Sequence, residues 1–320
     1  MSITSWLASP PPDAAVEIAP ARVSAAAMMT RGDRPTIQAY AAEALPAGAV
    51  AASLTTQNVV DRAAVAAGVR TVLSRLGTRP RRVALIIPDL AAKVSVIRFD
   101  HVPARHDDLD QLVRWQVRKA APFPIEDACV TYTPGARGAD GSGDFVVALA
   151  RHDVVRGYEE ACADAGVYAG LVDLATFSVV NLALASARTD GGDWLVVHMR
   201  PEYTSIAIVR AGDLIFFRNR PDDDDETLAD VVHQTVMYYQ DRLAGRGFAR
   251  VLLGGSGRAA GAVAHARQSL EERLGTAVEA IDPTGAAIVP DRLTATPDLM
   301  DVLAPLTGML LRTRAEGVRT

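Results

Sequence analysis

The chain has 320 residues, 49% of them apolar and 22% charged, and a formal net charge of −5. That length accommodates about two domains with sizeable cores, and the mildly acidic balance provides no global basic field for nucleic acid. Cys129 and Cys162 lack C-x-x-C spacing and read as free thiols of a reducing compartment, and no run of 18 apolar residues offers a membrane span.

Residues 1–13 read as a flexible tail, since no basic stretch leads into an apolar signal core. Ala14–Met28 is predicted as a strand, and Ile37–Ala42 with the turn at Pro46-Ala47-Gly48 continues a meander. Asn58–Leu76 carries a helical apolar stripe that Gly77 stops. Val83–Ile87 reads as a buried strand, and AKVSVIRFDHVP after Pro88 as its hairpin partner. His106–Ala120 is a predicted helix with Asp107 and Asp108 at its N-terminus, where negative charge suits the dipole. It ends at the unusual APFPIED, because Pro122 disfavours helical geometry before it. Strands at Ala128–Tyr132 and Asp144–Leu149, a helix at Asp153–Ala165, a strand at Ala169–Leu174 and a helix at Thr176–Ala187 follow.

A second half opens after Asp190-Gly191-Gly192 with strands at Trp194–His198, Thr204–Val209 and Leu214–Arg218. The acidic run Asp222–Glu226 reads as the solvated N-terminus of a helix over Thr227–Ala244 rather than a cation site. A strand at Arg250–Leu253, the turn Gly254-Gly255-Ser256-Gly257, a helix at Ala259–Leu274, a strand at Ala277–Ile281 and a closing helix at Leu303–Arg314 complete the chain. Both halves thus repeat one plan, and the first carries an extra α/β segment over about 104–166.

This α/β plan resembles the actin-like fold, a duplicated ribonuclease H-like fold with two lobes around a cleft. RWQVRKAAPFPIED, VALIIPDLAAKVSVIRFDHVP, Val172-Asp173-Leu174, VMYYQ, LLGGSG and APLTGMLLR, in that order, resemble the PilM family of type IV pilus assembly proteins. The cytoplasmic part of GspL is a more distant likeness. The resemblance implies a first lobe over 14–190 with its insertion, and a second over 191–320. The second lobe would have an upper subdomain around 219–249 and a closing helix that returns to the cleft. It also implies a cytoplasmic scaffold, held at the inner membrane by gripping the N-terminal tail of a PilN-like protein. Self-association into a ring and contact with motor ATPases belong to the same expectation; nucleic acid and direct membrane insertion do not.

The tail groove would lie between the first lobe and the insertion. Arg98, Trp115, Pro122, Phe123 and Pro124 are its candidate residues, the two prolines fixing Phe123 at little entropic cost. Phe123 as a plug of the seam and Trp115 as core are the alternatives. Actin-like proteins bind ATP on two glycine-bearing phosphate loops. The matching positions are Glu17, Ala19, Arg22 and Ser24 in one half and His198, Arg200 and Thr204 in the other. The first has Ala19 for glycine and then Pro20, which has no N–H; the second has neither Asp nor Gly. Gly254, Gly255 and Gly257 remain, a weak sign alone. The cleft is therefore expected to be degenerate, with no cofactor and no ATPase activity. Arg22 and Arg200 would be paired to carboxylates such as Glu17 or Glu202, or else would contact phosphate in a nucleotide-binding switch. A filament-forming FtsA-like protein is the other alternative, opposed by the polar end RTRAEGVRT. The six histidines show no zinc spacing.

Overall fold

Ala14–Ala19 (β1) is buried at every position, so both faces of this strand are covered. The chain reverses over Pro20-Ala21, pairs Ala19 with Arg22, and continues antiparallel as Arg22–Arg31 (β2) and Arg34–Ala44 (β3). The single strand expected over 14–28 is thus a hairpin. Pro20 is the reason: it fixes φ and donates no ladder bond, which suits a turn and not a strand interior. The structure, a computed structural model, describes residues 12–31, 34–186, 191–222, 227–255, 258, 260–290, 293 and 296–319. Within the expected tail, the Asp13 carbonyl already accepts from the Met28 amide at 3.0 Å.

Arg62–Arg75 (α1) starts on Asp61, whose side chain accepts from the Ala64 amide. Arg82–Ile87 (β4) then runs parallel to β1. The following segment is not its hairpin partner. Pro88 and a 3-10 turn over Asp89–Ala91 carry the chain out of the sheet, and Ala92–Phe99 (β5) opens another. His106–Arg118 (α2), Ala128–Arg137 (β6) and Gly143–Arg151 (β7) complete that unit, with strand order β5-β7-β6. Val113 and Val117 of α2 pack on Phe99, Phe145, Val147 and Leu149 across one face. His152–Asp164 (α3) lies beside α1 in the first lobe, burying Val154, Tyr158, Ala161 and Cys162. Tyr168–Leu174 (β8) closes the order β3-β2-β1-β4-β8. The three-stranded sheet with α2 spans 92–151, with β5 as an edge strand, and the apolar face of α3 belongs to the first core.

Asp193–Met199 (β9), Tyr203–Arg210 (β10), Asp213–Pro221 (β11), Phe248–Gly254 (β12) and Val278–Ala280 (β13) form a second sheet in the order β11-β10-β9-β12-β13. This is the strand order of the first lobe, repeated. Leu228–Arg242 (α5) and Ala260–Leu274 (α6) cover one face. Val232 and Tyr239 of α5 share one core with Leu195, Val197 and Ile206.

Two helices lie between the lobes. Ala175–Ser186 (α4) is apolar almost all round and sends Val179 and Leu182 against Trp194, Val196 and Ala207 of the second sheet. Pro297–Arg319 (α7) packs Leu303, Leu306, Met309 and Leu310 on Ala15, Ala26, Ala84 and Ile86 of the first. The two helices nearly touch at Gly308, where a Cβ would lie 1.8 Å from the Ser178 carbonyl oxygen. The duplicated sheets, the cleft and the insertion make this the actin-like fold. Among the described residues no helix is long and apolar enough to cross a membrane.

Candidate functional site

The central strands β1 and β9 end at the cleft, and their side chains meet there. Arg200 occupies the turn after β9, with its amide donating to the Tyr203 carbonyl and its own carbonyl accepting from Arg258 Nε, both at 2.8 Å. Its side chain, in a residue only 3% exposed, crosses to the first lobe, where Nη2 donates to Glu17 Oε1 at 2.7 Å. Glu17 Oε2 accepts from Ser24 Oγ at 3.1 Å and has Arg22 Nη2 at 4.0 Å. Arg258 is ion-paired with Asp222 at 2.7 Å. Neither turn facing this point, Pro20-Ala21 or Arg200-Pro201-Glu202, contains glycine.

A second polar knot lies deeper. Asp89 is fully buried; it accepts from the Thr176 amide at 3.0 Å, from the Thr176 hydroxyl, and from Ser205 Oγ of the second lobe at 2.5 Å. Its own amide donates to Tyr203 Oη at 3.2 Å, and its carbonyl accepts from Asn219 Nδ2 at 2.8 Å. Burial raises its pKa against the lowering effect of the Ser205 and Thr176 hydrogen bonds. Burial, reinforced by the Arg200 charge, pushes His198 well below the usual 6.5, so its ring is neutral at pH 7. Thr176 gives its proton to Asp89, so the 2.8 Å contact with His198 is a donation from Nδ1–H. That leaves His198 Nε2 as a buried acceptor with no hydrogen-bond partner among the described residues.

Close packing accounts for the remaining glycines. A Cβ on Gly254 would stand 3.0 Å from Ile281 Cδ1 and 3.7 Å from both His198 and Asp301, and one on Gly255 would stand 2.3 Å from Val263 Cγ2. Thr204, on β10, pairs in register with Met199 and Arg220 rather than entering the knot. Gly257 and the acidic stretch 223–226 lie outside the described residues. Among the described residues no group of three or more His, Cys, Asp or Glu side chains is placed to hold a metal.

The second candidate site is a groove of about 680 Å³ where the inserted unit meets both lobes. Thr133, Pro134 and Gly135 of β6 and Val146 of β7 form one wall, and Phe177, Val180, Asn181, Leu184 and Ala185 of α4 form the other. The α4 residues recur at helical spacing, so one helix face is given over to the groove. Leu214 of β11 and Leu311 and Arg312 of α7 close its end, with Arg312 ion-paired to Asp173.

The structure separates the residues expected to share a partner groove. Trp115 is 63% exposed on α2, with Lys119 Nζ 6.0 Å from its ring centroid. Pro122 and Pro124 are exposed, while Phe123 is half-buried against the core of the inserted unit. Arg98 alternates with Ile97 and Phe99 and so points away from α2; it donates to Asp144 at 3.3 Å and to Ser142 at 2.6 Å. Trp115 and Phe123 are on the α2 side of that sheet, and Arg98 and the 680 Å³ groove are on the other. Sequence reasoning missed Asp89, Thr176, Ser205 and Asn219; the IPD tripeptide ending in Asp89 was the available signal.

Residues 15–222 match the family model described as type IV pilus assembly protein PilM. The fold is similar to that of a structure titled PilM-PilN type IV pilus biogenesis complex, at 20% identity and TM-score 0.79, covering 94% of this chain and 98% of that one. A Bacteroides thetaiotaomicron protein described as having an actin-like ATPase fold and unknown function gives 10% identity and TM-score 0.49 over 92% of this chain and 95% of its own. The ethanolamine utilization protein EutJ from Carboxydothermus hydrogenoformans gives 15% and 0.47 over 95% and 90%.

Proposed function

The chain belongs to the family of type IV pilus assembly protein PilM, and from that premise we propose that it is a scaffold of the pilus assembly platform rather than an enzyme. Its task in this reading is to hold the short cytoplasmic N-terminal tail of a PilN-like single-span membrane protein, which keeps it at the inner membrane. The observation that carries the proposal is the groove between β6–β7 and α4. It is concave, lined mainly by apolar side chains, and within the size range of specific pockets. It also lies beside the insertion, between that unit and the helices that separate the lobes. Trp115 and Phe123 have other roles here: Phe123 anchors the turn after α2 to the inserted core, and Trp115 is left for further platform contacts, including other copies of the chain or motor ATPases.

The nucleotide cleft acts in this reading as a latch. A triphosphate needs backbone N–H groups from both turns. Pro20 offers none, and the Arg200 side chain fills the space between the turns while pairing with Glu17.

The test is affinity capture from the native membrane fraction with mass spectrometry. The wild-type chain is expected to bring down a single-span protein with a short cytoplasmic N-terminus. Leu184→Arg, which places a charge in the groove, is expected to lose it with only the modest fall in Tm that a half-buried leucine on the α4 core implies. Retention by Leu184→Arg overturns the groove assignment, and recovery of only further copies of the chain overturns the tail-binding function.

A further inference from the structure

Asn181 is the one side-chain amide on α4, whose sequence is ATFSVVNLALAS. It is half-buried among the apolar residues of the groove, flanked along the helix face by Phe177, Val180, Leu184 and Ala185. Among the described residues its amide makes no hydrogen bond, whereas the other polar α4 residues facing the protein are satisfied: Thr176 by Asp89, Ser178 by the Leu174 carbonyl and Ser186 by the Leu182 carbonyl. An amide in mid-helix lowers helix propensity and contributes nothing to the packing of an apolar wall. Its amide is left open to whatever enters the groove. An Asn side chain carries one acceptor and a two-proton donor, the same pair that a peptide unit presents.

The wall opposite points to the same kind of occupant. β6 is an end strand of the order β5-β7-β6, and among the described residues no strand pairs with its outer edge. Its residues Thr133–Gly135 line the groove directly across from α4. An extended segment lying between them has the β6 backbone on one side, where Pro134 offers a carbonyl but no N–H, and an apolar helix face on the other.

We infer that Asn181 is the positioning residue of this groove, reading one peptide unit of an extended segment by accepting from its N–H and donating to its C=O. The inference rests on the tail-binding reading and specifies how the tail is held. Because the contact is to backbone, it fixes the register of the segment without demanding a particular side chain there, and sequence preference falls to the apolar pockets around Phe177, Leu184 and Val146.

The probe is a synthetic peptide with the first dozen residues of the single-span protein captured by the wild-type chain, titrated calorimetrically into the full-length protein. Asn181→Ala is expected to weaken binding about tenfold, the loss of two ordinary hydrogen bonds, with Tm unchanged because the amide has no intramolecular partner to lose. Asn181→Leu, which restores volume without the amide, is expected to weaken it as much. Peptides N-methylated one position at a time should include one whose loss of affinity is not additive with Asn181→Ala. Unchanged affinity in both variants, with Leu184→Arg still abolishing binding, overturns the role of Asn181 and leaves the groove standing. Full additivity at every N-methylated position overturns backbone reading. Absence of binding by the wild-type chain removes the tail-binding function and this inference together.

Discussion

Replacing Arg200 by Met tests whether the two lobes are held by the buried pair in the cleft. The substitution removes the guanidinium that donates to Glu17 at 2.7 Å and leaves the backbone of residue 200 free to keep its bonds to Tyr203 and Arg258. Glu17 then remains buried with Ser24 at 3.1 Å and Arg22 at 4.0 Å as its polar neighbours. Breaking one side of a buried ion pair costs about 3–5 kcal/mol, because the surviving charge loses its compensation. Arg22 can take up part of that charge, which places the expectation near 3 kcal/mol. With roughly 2–4 °C per kcal/mol for units of this size, Tm should fall by about 6–12 °C. Replacing both members, Glu17→Gln with Arg200→Met, removes the buried charges together and should recover most of the loss. The assay is thermal denaturation followed by circular dichroism at pH 7 on wild type, both single variants and the double. A double variant as unstable as the two single losses added would refute the coupling, and a single variant that melts with the wild type would refute the buried pair itself.

Three further outcomes are expected. Gly308→Ala should destabilise by roughly 3 kcal/mol, since its Cβ would meet the Ser178 carbonyl oxygen at 1.8 Å and overpacking outweighs the gain in helix propensity; unchanged urea denaturation would mean that α4 and α7 do not approach so closely. Asp301 has its pKa pushed up from 3.8 to about 6, chiefly by burial and against a hydrogen bond from the Gly255 amide. A carboxyl with a raised folded-state pKa stabilises below about pH 4 and loses that contribution as pH rises through 6, so the Tm of Asp301→Asn should match wild type at pH 4 and exceed it at pH 7.5, and parallel curves would contradict this. Millimolar Mg-ATP should leave Tm unmoved, whereas a saturable rise would show that the cleft binds nucleotide.

The elements were largely legible in the sequence, because buried strands such as VALII and amphipathic helices such as α2 announce themselves through local pattern. The departures came where long-range partners decide. Ala92–Phe99 alternates like any hairpin strand, but its partner, Gly143–Arg151, lies some 50 residues on across a loop and a helix. The strand expected over 14–28 continued through Pro20 because its flanking alanines suit either a strand or a turn. Arg200 and Glu17 stood out as misfits to a phosphate site, and each is explained by the other across 183 positions. Asp89 offered only the IPD tripeptide it ends: its partners Thr176 and Ser205 are 87 and 116 residues away, and the tripeptide alone does not separate a buried carboxylate from a turn residue after proline. Arg98 and Trp115 seemed to be neighbours until strand alternation put them on opposite faces of one sheet.

Because α7 covers the inner faces of both sheets, those faces are completed late in synthesis. The face made by Ala15, Ala26, Ala84 and Ile86 is sealed only by Leu303, Leu306, Met309 and Leu310. On the ribosome that face waits for α7, made roughly 10–40 s after Ile86 at ordinary elongation rates. The inner face of the second sheet waits for the same helix, through Ala304, although the principal core of each lobe needs nothing from α7. Each lobe can therefore form its own core as it is made, while the faces that meet across α4 and α7 stay sticky until α7 arrives, which gives a nascent-chain chaperone a defined surface to shield during synthesis.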